Sequence, residues 1–238
     1  MSVTEGSLLG GRVRYCQPAH GHRSGIEPVL LAASIPARAG ARVLEGGSGA
    51  GAGLLCLAAR VPGISGLGLE LEPAPLACAR ANAADQPDLR FEQADLTVVP
   101  LAERFDHAMA NPPWHPPGTA SADAGRELAR RATASVFADW ARALAAPLRH
   151  HGSLTFVLPA AALATALAAL AAAGCGSPLV FPLWPRTGQD AKLLLLRAIK
   201  GGKGPCRVAA GLVLHEADGG FTPAAQVVLR DGQELALG

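Results

Sequence analysis

Val43-Leu44-Glu45-Gly46-Gly47-Ser48-Gly49-Ala50-Gly51 runs from an apolar stretch straight into a cluster of glycines, and an apolar helical pattern follows. Residues 41–45 read as a strand, and Gly51 to Val61 as a helix stopped by Pro62. Glycine tolerates positive φ and lets a ligand touch the backbone. The start of a helix offers N–H donors without intrahelical partners. A strand, a glycine turn and a helix in that order predict a nucleotide or nucleoside site. Gly47, Gly49 and Gly51 follow a G-x-G-x-G rhythm. Dinucleotide sites use G-x-G-x-x-G. Gly53 adds a further glycine, so the turn by itself leaves NAD open, and no P-loop Gly-Lys-Ser/Thr is present.

Outward from the turn, strand and helix patterns alternate. Ile64 to Leu71 reads as a second strand, Pro73 to Asp85 as a helix, Leu89 to Gln93 as a third strand and Phe105 to Ala110 as a fourth. Val136 to Leu148 is a helix, Ser153 to Leu158 a strand, and Ala160 to Ala173 a helix capped by Gly174. Leu179 to Leu183 and Lys192 to Ile199 follow as strands without a helix between them, which predicts a hairpin. The expected fold is α/β: a Rossmann-like sheet of seven strands, mostly parallel, with an antiparallel C-terminal hairpin strand placed at its edge. Residues 1–36 are expected to form an arm and a helix, 37–200 the core, and 201–238 an extension packed on it. Short strands are expected in that extension at Leu212 to Leu214 and Val227 to Leu229.

The second strand ends in Glu70, about 20 residues after the turn, the spacing of a carboxylate that grips ribose hydroxyls. Glu72 lies two residues on and competes for that role. The fourth strand runs into Asn111-Pro112-Pro113-Trp114. Two prolines stiffen the backbone beyond the strand's carboxyl end, where open α/β sheets bind ligands. The Asn111 side-chain amide and the Pro112 carbonyl can both accept hydrogen bonds from a planar amine, and Trp114 can stack on the ring that bears it. An amine on an aromatic ring is a weak nucleophile because its lone pair is delocalised. Two acceptors that favour a more tetrahedral nitrogen help it attack a sulfonium methyl group, and the rest is alignment.

Composition narrows the class. Half of the 238 residues are apolar and 17% are charged, which suits a packed core. Net charge is only +2, a mild argument against a dedicated nucleic-acid binder. The longest apolar stretch, Leu158 to Gly174, carries a proline and is short for a bilayer. The first residues lack a signal-peptide layout. Five scattered cysteines form no C-x-x-C pair, so no metal is expected and the reducing cytoplasm fits.

Together, Glu45 to Gly51, Glu70, Asp95 and Asn111-Pro112-Pro113-Trp114 resemble the class I S-adenosylmethionine-dependent amino-methyltransferases. The whole chain, over roughly residues 12–232, is most similar to the bacterial tRNA (adenine-N6) methyltransferase family that acts on valine tRNA. Gln17-Pro18, Gly25 to Ala33 and Leu212 to Pro223 extend the likeness beyond the core. The resemblance implies S-adenosyl-L-methionine as donor and tRNA as substrate. It implies that Glu45, Gly47, Ser48, Gly49 and Gly51 hold the methionine part of the donor and Glu70 its ribose. Asp95 then approaches the donor's adenine, and Asn111, bordering the donor as well, joins Pro112 at the target amine while Trp114 stacks. Alternatives stay open at this point: rRNA or DNA bases, a glutamine side-chain amide, a silent donor- or RNA-binding module, and a nicotinamide oxidoreductase.

Other residues carry weaker signals. Arg126, Arg130 and Arg131 suit either phosphates or a solvated helix face. Arg12, Arg14, His20, His22 and Arg23 form a basic N-terminal cluster that could cover the site or touch RNA. His150-His151 is expected to end a helix, His107 to be structural, and Trp140 with Phe137 to pack in the core.

Overall fold

A computed structural model describes residues 2–20, 24–114 and 135–237. Strands β1 (Val3–Leu8) and β2 (Val13–Pro18) pair as an antiparallel hairpin. Helix α1 (Glu27–Ser34) follows, with Pro28 in its first turn. Then come β3 (Arg42–Gly46), α2 (Ala52–Arg60), β4 (Ser65–Glu70), α3 (Pro73–Asn82), β5 (Leu89–Gln93) and β6 (Phe105–Ala110). Residues 135–145 are helical and are called α4. The chain continues through β7 (Leu148–Pro159), α5 (Leu163–Ala172), β8 (Cys175–Trp184) and β9 (Leu193–Lys200). It ends with the two-residue strands β10 (Arg207–Val208) and β11 (Leu212–Val213) and helix α6 (Pro223–Leu229).

The seven expected strands form one sheet in the order β8-β9-β7-β6-β3-β4-β5, and β10 and β11 both add to β8. Strands β3 to β7 pair in parallel. The antiparallel strand, β9, lies between β7 and β8 and not at the edge, because β8 crosses past it before the hairpin brings the chain back. Strand β7 begins five residues earlier than its apolar run, so His150-His151 lies within a strand and not at a helix end.

Successive residues of the buried strands face opposite layers. Val43 packs with α1 and α2, whereas Leu44 packs with the layer that holds Phe137 and Leu144 of α4. Both are fully buried, as a parallel sheet covered on two faces requires. The C-terminal residues join the first layer: α6 rests on α1, and the Leu235 N–H donates to the Ala33 carbonyl at 2.9 Å. Val227 to Leu229 belongs to α6 and is not a strand. Thr222 caps that helix through its hydroxyl, 3.1 Å from the Ala225 N–H, and Pro223 opens it. No helix of the described residues is long and apolar enough to cross a membrane.

Candidate active site

From β3 the chain moves to β4 and β5 on one side, then returns to β6 on the other. Such a reversal opens a crevice at the carboxyl ends of the strands. Register fixes which residues meet there. Gly46 is paired with Leu69 on β4 and with Ala110 on β6. The next residues, Gly47, Glu70 and Asn111, therefore leave three neighbouring strands at one level, spanning roughly 10 Å at ordinary strand spacing.

The turn needs its glycines: Gly47, Gly49 and Gly51 have φ of 62°, 56° and 86°. Its shape is held from β4. The Ser48 N–H donates to the Leu69 carbonyl at 3.0 Å, and the Gly49 N–H to Glu70 Oε2 at 2.7 Å. Glu70 Oε1 accepts from the Glu72 N–H at 2.9 Å. Glu70 is half-buried and borders a cavity of about 370 Å³, which Gly47, Gly49 and Ala50 line from the turn. That volume lies within the range of small-molecule sites. The start of α3 closes a second side, where Glu72 also reaches the rim.

The N-terminal hairpin supplies the remaining wall, through Tyr15, Gln17, Pro18 and His20. Asn82, near the end of α3, fastens it. Its amide donates to the Cys16 carbonyl at 2.8 Å and to the Ala50 carbonyl at 2.9 Å, and its oxygen accepts from the Cys16 N–H at 2.8 Å. One side chain thus ties hairpin, helix and glycine turn together. Tyr15 bonds Ser24 at 2.8 Å, and burial pushes its hydroxyl up to about 12. Sequence reading missed Asn82, Tyr15 and Ser24, because nothing local marks them. Of the basic cluster, His20 reaches the cavity, whereas Arg12 donates to the Asp231 carbonyl at 2.6 Å and Arg14 is exposed.

The other expected donor residues lie apart from the cavity. Glu45 is buried behind the turn, where Oε2 accepts from the Leu54 N–H at 3.1 Å. Burial pushes its carboxyl up to about 8, against the opposing pull of that N–H. A side chain at Gly53 would stand 2.1 Å from Glu45 Oε1, so Gly53 makes room for the acid. Ser48 and Gly51 are buried beneath the turn, and Gly51 lies against Phe91. Asp95 is exposed and folds back on Thr97, accepting from its N–H at 2.9 Å and its hydroxyl at 2.6 Å, which hold its carboxyl below the usual range.

Asn111 is half-buried, and its side chain has no hydrogen-bond partner among the described residues. Pro112 is buried, and Trp114 is half-buried against the α4 layer. Trp140 is half-buried too and does not sit deep in the core as Phe137 does. Arg126, Arg130, Arg131, His22 and Arg23 lie outside the described residues.

Residues 43–135 match a family model described as a methyltransferase domain. The chain is 30% identical over 206 residues to the tRNA1(Val) (adenine(37)-N6)-methyltransferase of Aeromonas hydrophila subsp. hydrophila, covering 83% of this chain and 84% of that one. It is 28% identical over 220 residues to the enzyme of that name from Dickeya chrysanthemi, covering 87% and 86%. Among solved structures, one described as a predicted O-methyltransferase from Agrobacterium tumefaciens superposes with a TM-score of 0.73 at 25% identity, covering 88% of this chain and 98% of that chain. Likeness in sequence over more than four fifths of both chains settles the relationship: this chain belongs to the tRNA1(Val) (adenine(37)-N6)-methyltransferase family.

Proposed function

We propose that this chain transfers a methyl group from S-adenosylmethionine to the exocyclic N6 amine of an adenine in tRNA, in the cytoplasm. The observation that carries the reading is the shared register of β4, β3 and β6, which sets Asn111 at the level of Glu70 and the glycine turn. The donor fits the residues present. The cavity of about 370 Å³ takes a nucleoside, and the Glu70 carboxylate at its rim suits a pair of ribose hydroxyls. Gly47, Gly49 and Ala50 border the rest, with Glu45, Ser48 and Gly51 shaping the turn from behind. Asp95, on the loop after β5, reaches the donor's adenine once its carboxylate leaves Thr97.

Bound S-adenosylmethionine supplies a methyl group made electrophilic by its sulfonium. Asn111 and the Pro112 carbonyl hold the target amine by its two N–H groups and steer its lone pair. The nitrogen–carbon bond forms as the carbon–sulfur bond breaks, and one amine proton passes to solvent. Neither acceptor needs to ionise. Trp114 stacks on the base, and stacking of that kind is worth about 1–3 kcal/mol. It offsets part of the cost of unstacking a base from tRNA.

The test is incubation of the chain with isotope-labelled donor and total RNA from a strain lacking this protein, followed by nucleoside mass spectrometry. The expected product is labelled N6-methyladenosine in the tRNA fraction; label in protein with none in RNA would overturn the reading. Asn111→Ala should lower kcat by about 10²–10³-fold, the loss seen when an aimed transition-state hydrogen bond is removed. Donor affinity should change little. Activity within a few-fold of wild type removes Asn111 from the acceptor role.

A further inference from the structure

The paired glycines at 46 and 47 have a neighbour that the site as described does not use. A side chain at Gly46 would meet Leu144 at 3.1 Å and Leu96 at 3.2 Å. One at Gly47 would meet Trp140 Cη2 at 2.7 Å and Cζ3 at 3.3 Å. Trp140 and Leu144 are four residues apart on α4, hence one turn apart on the same face. The helix lies directly across the end of β3, and each glycine receives one of its side chains. Gly47 lines the donor cavity, so its backbone is the wall between that cavity and the indole edge. Trp114, at the close of the Asn-Pro-Pro-Trp segment, packs on the same apolar layer as Trp140.

We infer that Trp140 is a positioning residue for methyl transfer: its ring seats the glycine turn, and so the donor, against the acceptor side of the site. The inference rests on the methyl-transfer reading above. Trp140 acts through Gly47, in the space a β-carbon would take. Without the ring a void opens beside the turn, and a backbone held at φ 62° can settle into it. Only Gly47, Gly49 and Ala50 of the cavity lining move with the turn, while Glu70, α3 and the hairpin keep their places, so binding survives. Alignment with an amine held from β6 does not, and a misplacement of about 1 Å costs roughly 100-fold in rate.

The experiment compares Trp140→Ala and Trp140→Phe with the wild-type chain, measuring kcat on tRNA, the Kd for S-adenosylhomocysteine by calorimetry, and the urea midpoint. For Trp140→Ala, kcat is expected to fall about 10- to 100-fold while Kd changes less than about threefold. Trp140→Phe should restore most of that rate. A kcat within about threefold of wild type overturns the inference. So does a loss of kcat that follows the urea midpoint and is not recovered by phenylalanine. A wild-type chain inert on tRNA would sink the earlier reading alone. Trp140 would then be judged in Trp114→Phe/Trp184→Phe, where it is the last of the three tryptophans. Its emission must shift as S-adenosylhomocysteine fills the cavity, and an emission blind to the ligand overturns the inference.

Discussion

Glu70 does two jobs at one position. Its oxygens take the N–H groups of Gly49 and Glu72, at 2.7 and 2.9 Å, while its flank borders the cavity. Glu70→Ala should therefore weaken donor binding at least tenfold, since a hydrogen bond to a charged group contributes about 1.5–3 kcal/mol. Calorimetry with S-adenosylhomocysteine checks this, and an unchanged Kd would transfer the ribose role to Glu72. Buried Glu45 and half-buried His107 set opposite pH limits on stability. Burial raises Glu45 from 4.5 to about 8, so the folded chain prefers the protonated acid. The stability this contributes is full below 4.5 and is lost as pH rises through 8. Burial lowers His107 from 6.5 to about 4, so its contribution is full above 6.5 and is lost as pH falls through 4. Glu45→Gln keeps an acceptor for the Leu54 N–H and has no proton to lose. Its urea midpoint should pull ahead of wild type as pH climbs from 4.5 to 8 and hold that lead above 8, with the two curves converging in acid. Parallel curves would mean that Glu45 keeps an ordinary carboxylate pKa in the fold.

Among the elements, the N-terminal hairpin is the one whose place is least evident from its own residues. Its pairing is local, yet its position over the cavity depends on Asn82, a residue of α3 that is 66 positions from Cys16. Asn82→Ala removes three hydrogen bonds, each worth about 0.5–1.5 kcal/mol net. Donor affinity should fall several-fold, and protease should cut within residues 2–20 faster than in wild type. Cleavage at the wild-type rate would show that Tyr15 and its apolar contacts hold the hairpin alone. Helix α6 teaches the opposite lesson. Val227-Val228-Leu229 looks extended when β-branching is weighed alone. Thr222 and Pro223 already spell a helix start, and Ala225, Val228 and Leu229 recur at the spacing of one buried helical face. The helix signal is present in the sequence, and the β-branching of Val227 and Val228 masks it.

At the scale of the whole molecule, the hairpin, the glycine turn, the end of β4 and the start of α3 all border one cavity, so ligand binding should stabilise the fold as a unit. A free concentration of S-adenosylhomocysteine at a hundred times its Kd adds about 2.7 kcal/mol. For a chain of this length that raises Tm by roughly 5–10 °C. Calorimetric scans with and without ligand check the shift, and NAD should produce none. An equal shift with NAD would point to a dinucleotide site. What the amino-acid string determined by itself is short-range: a strand that runs into glycines, an acid at the end of the next strand, and prolines after the fourth. Each is legible because positive φ, strand alternation and proline geometry act within a few residues. Tertiary structure decided which of these meet. It set Glu70, Gly47 and Asn111 at one level through strand register, moved Glu45 behind the turn, brought the hairpin across the cavity, and laid Trp140 against Gly47. Those outcomes depend on contacts between residues tens of positions apart, whose partners are chosen by packing and pairing across the sheet, and no local pattern encodes such a choice.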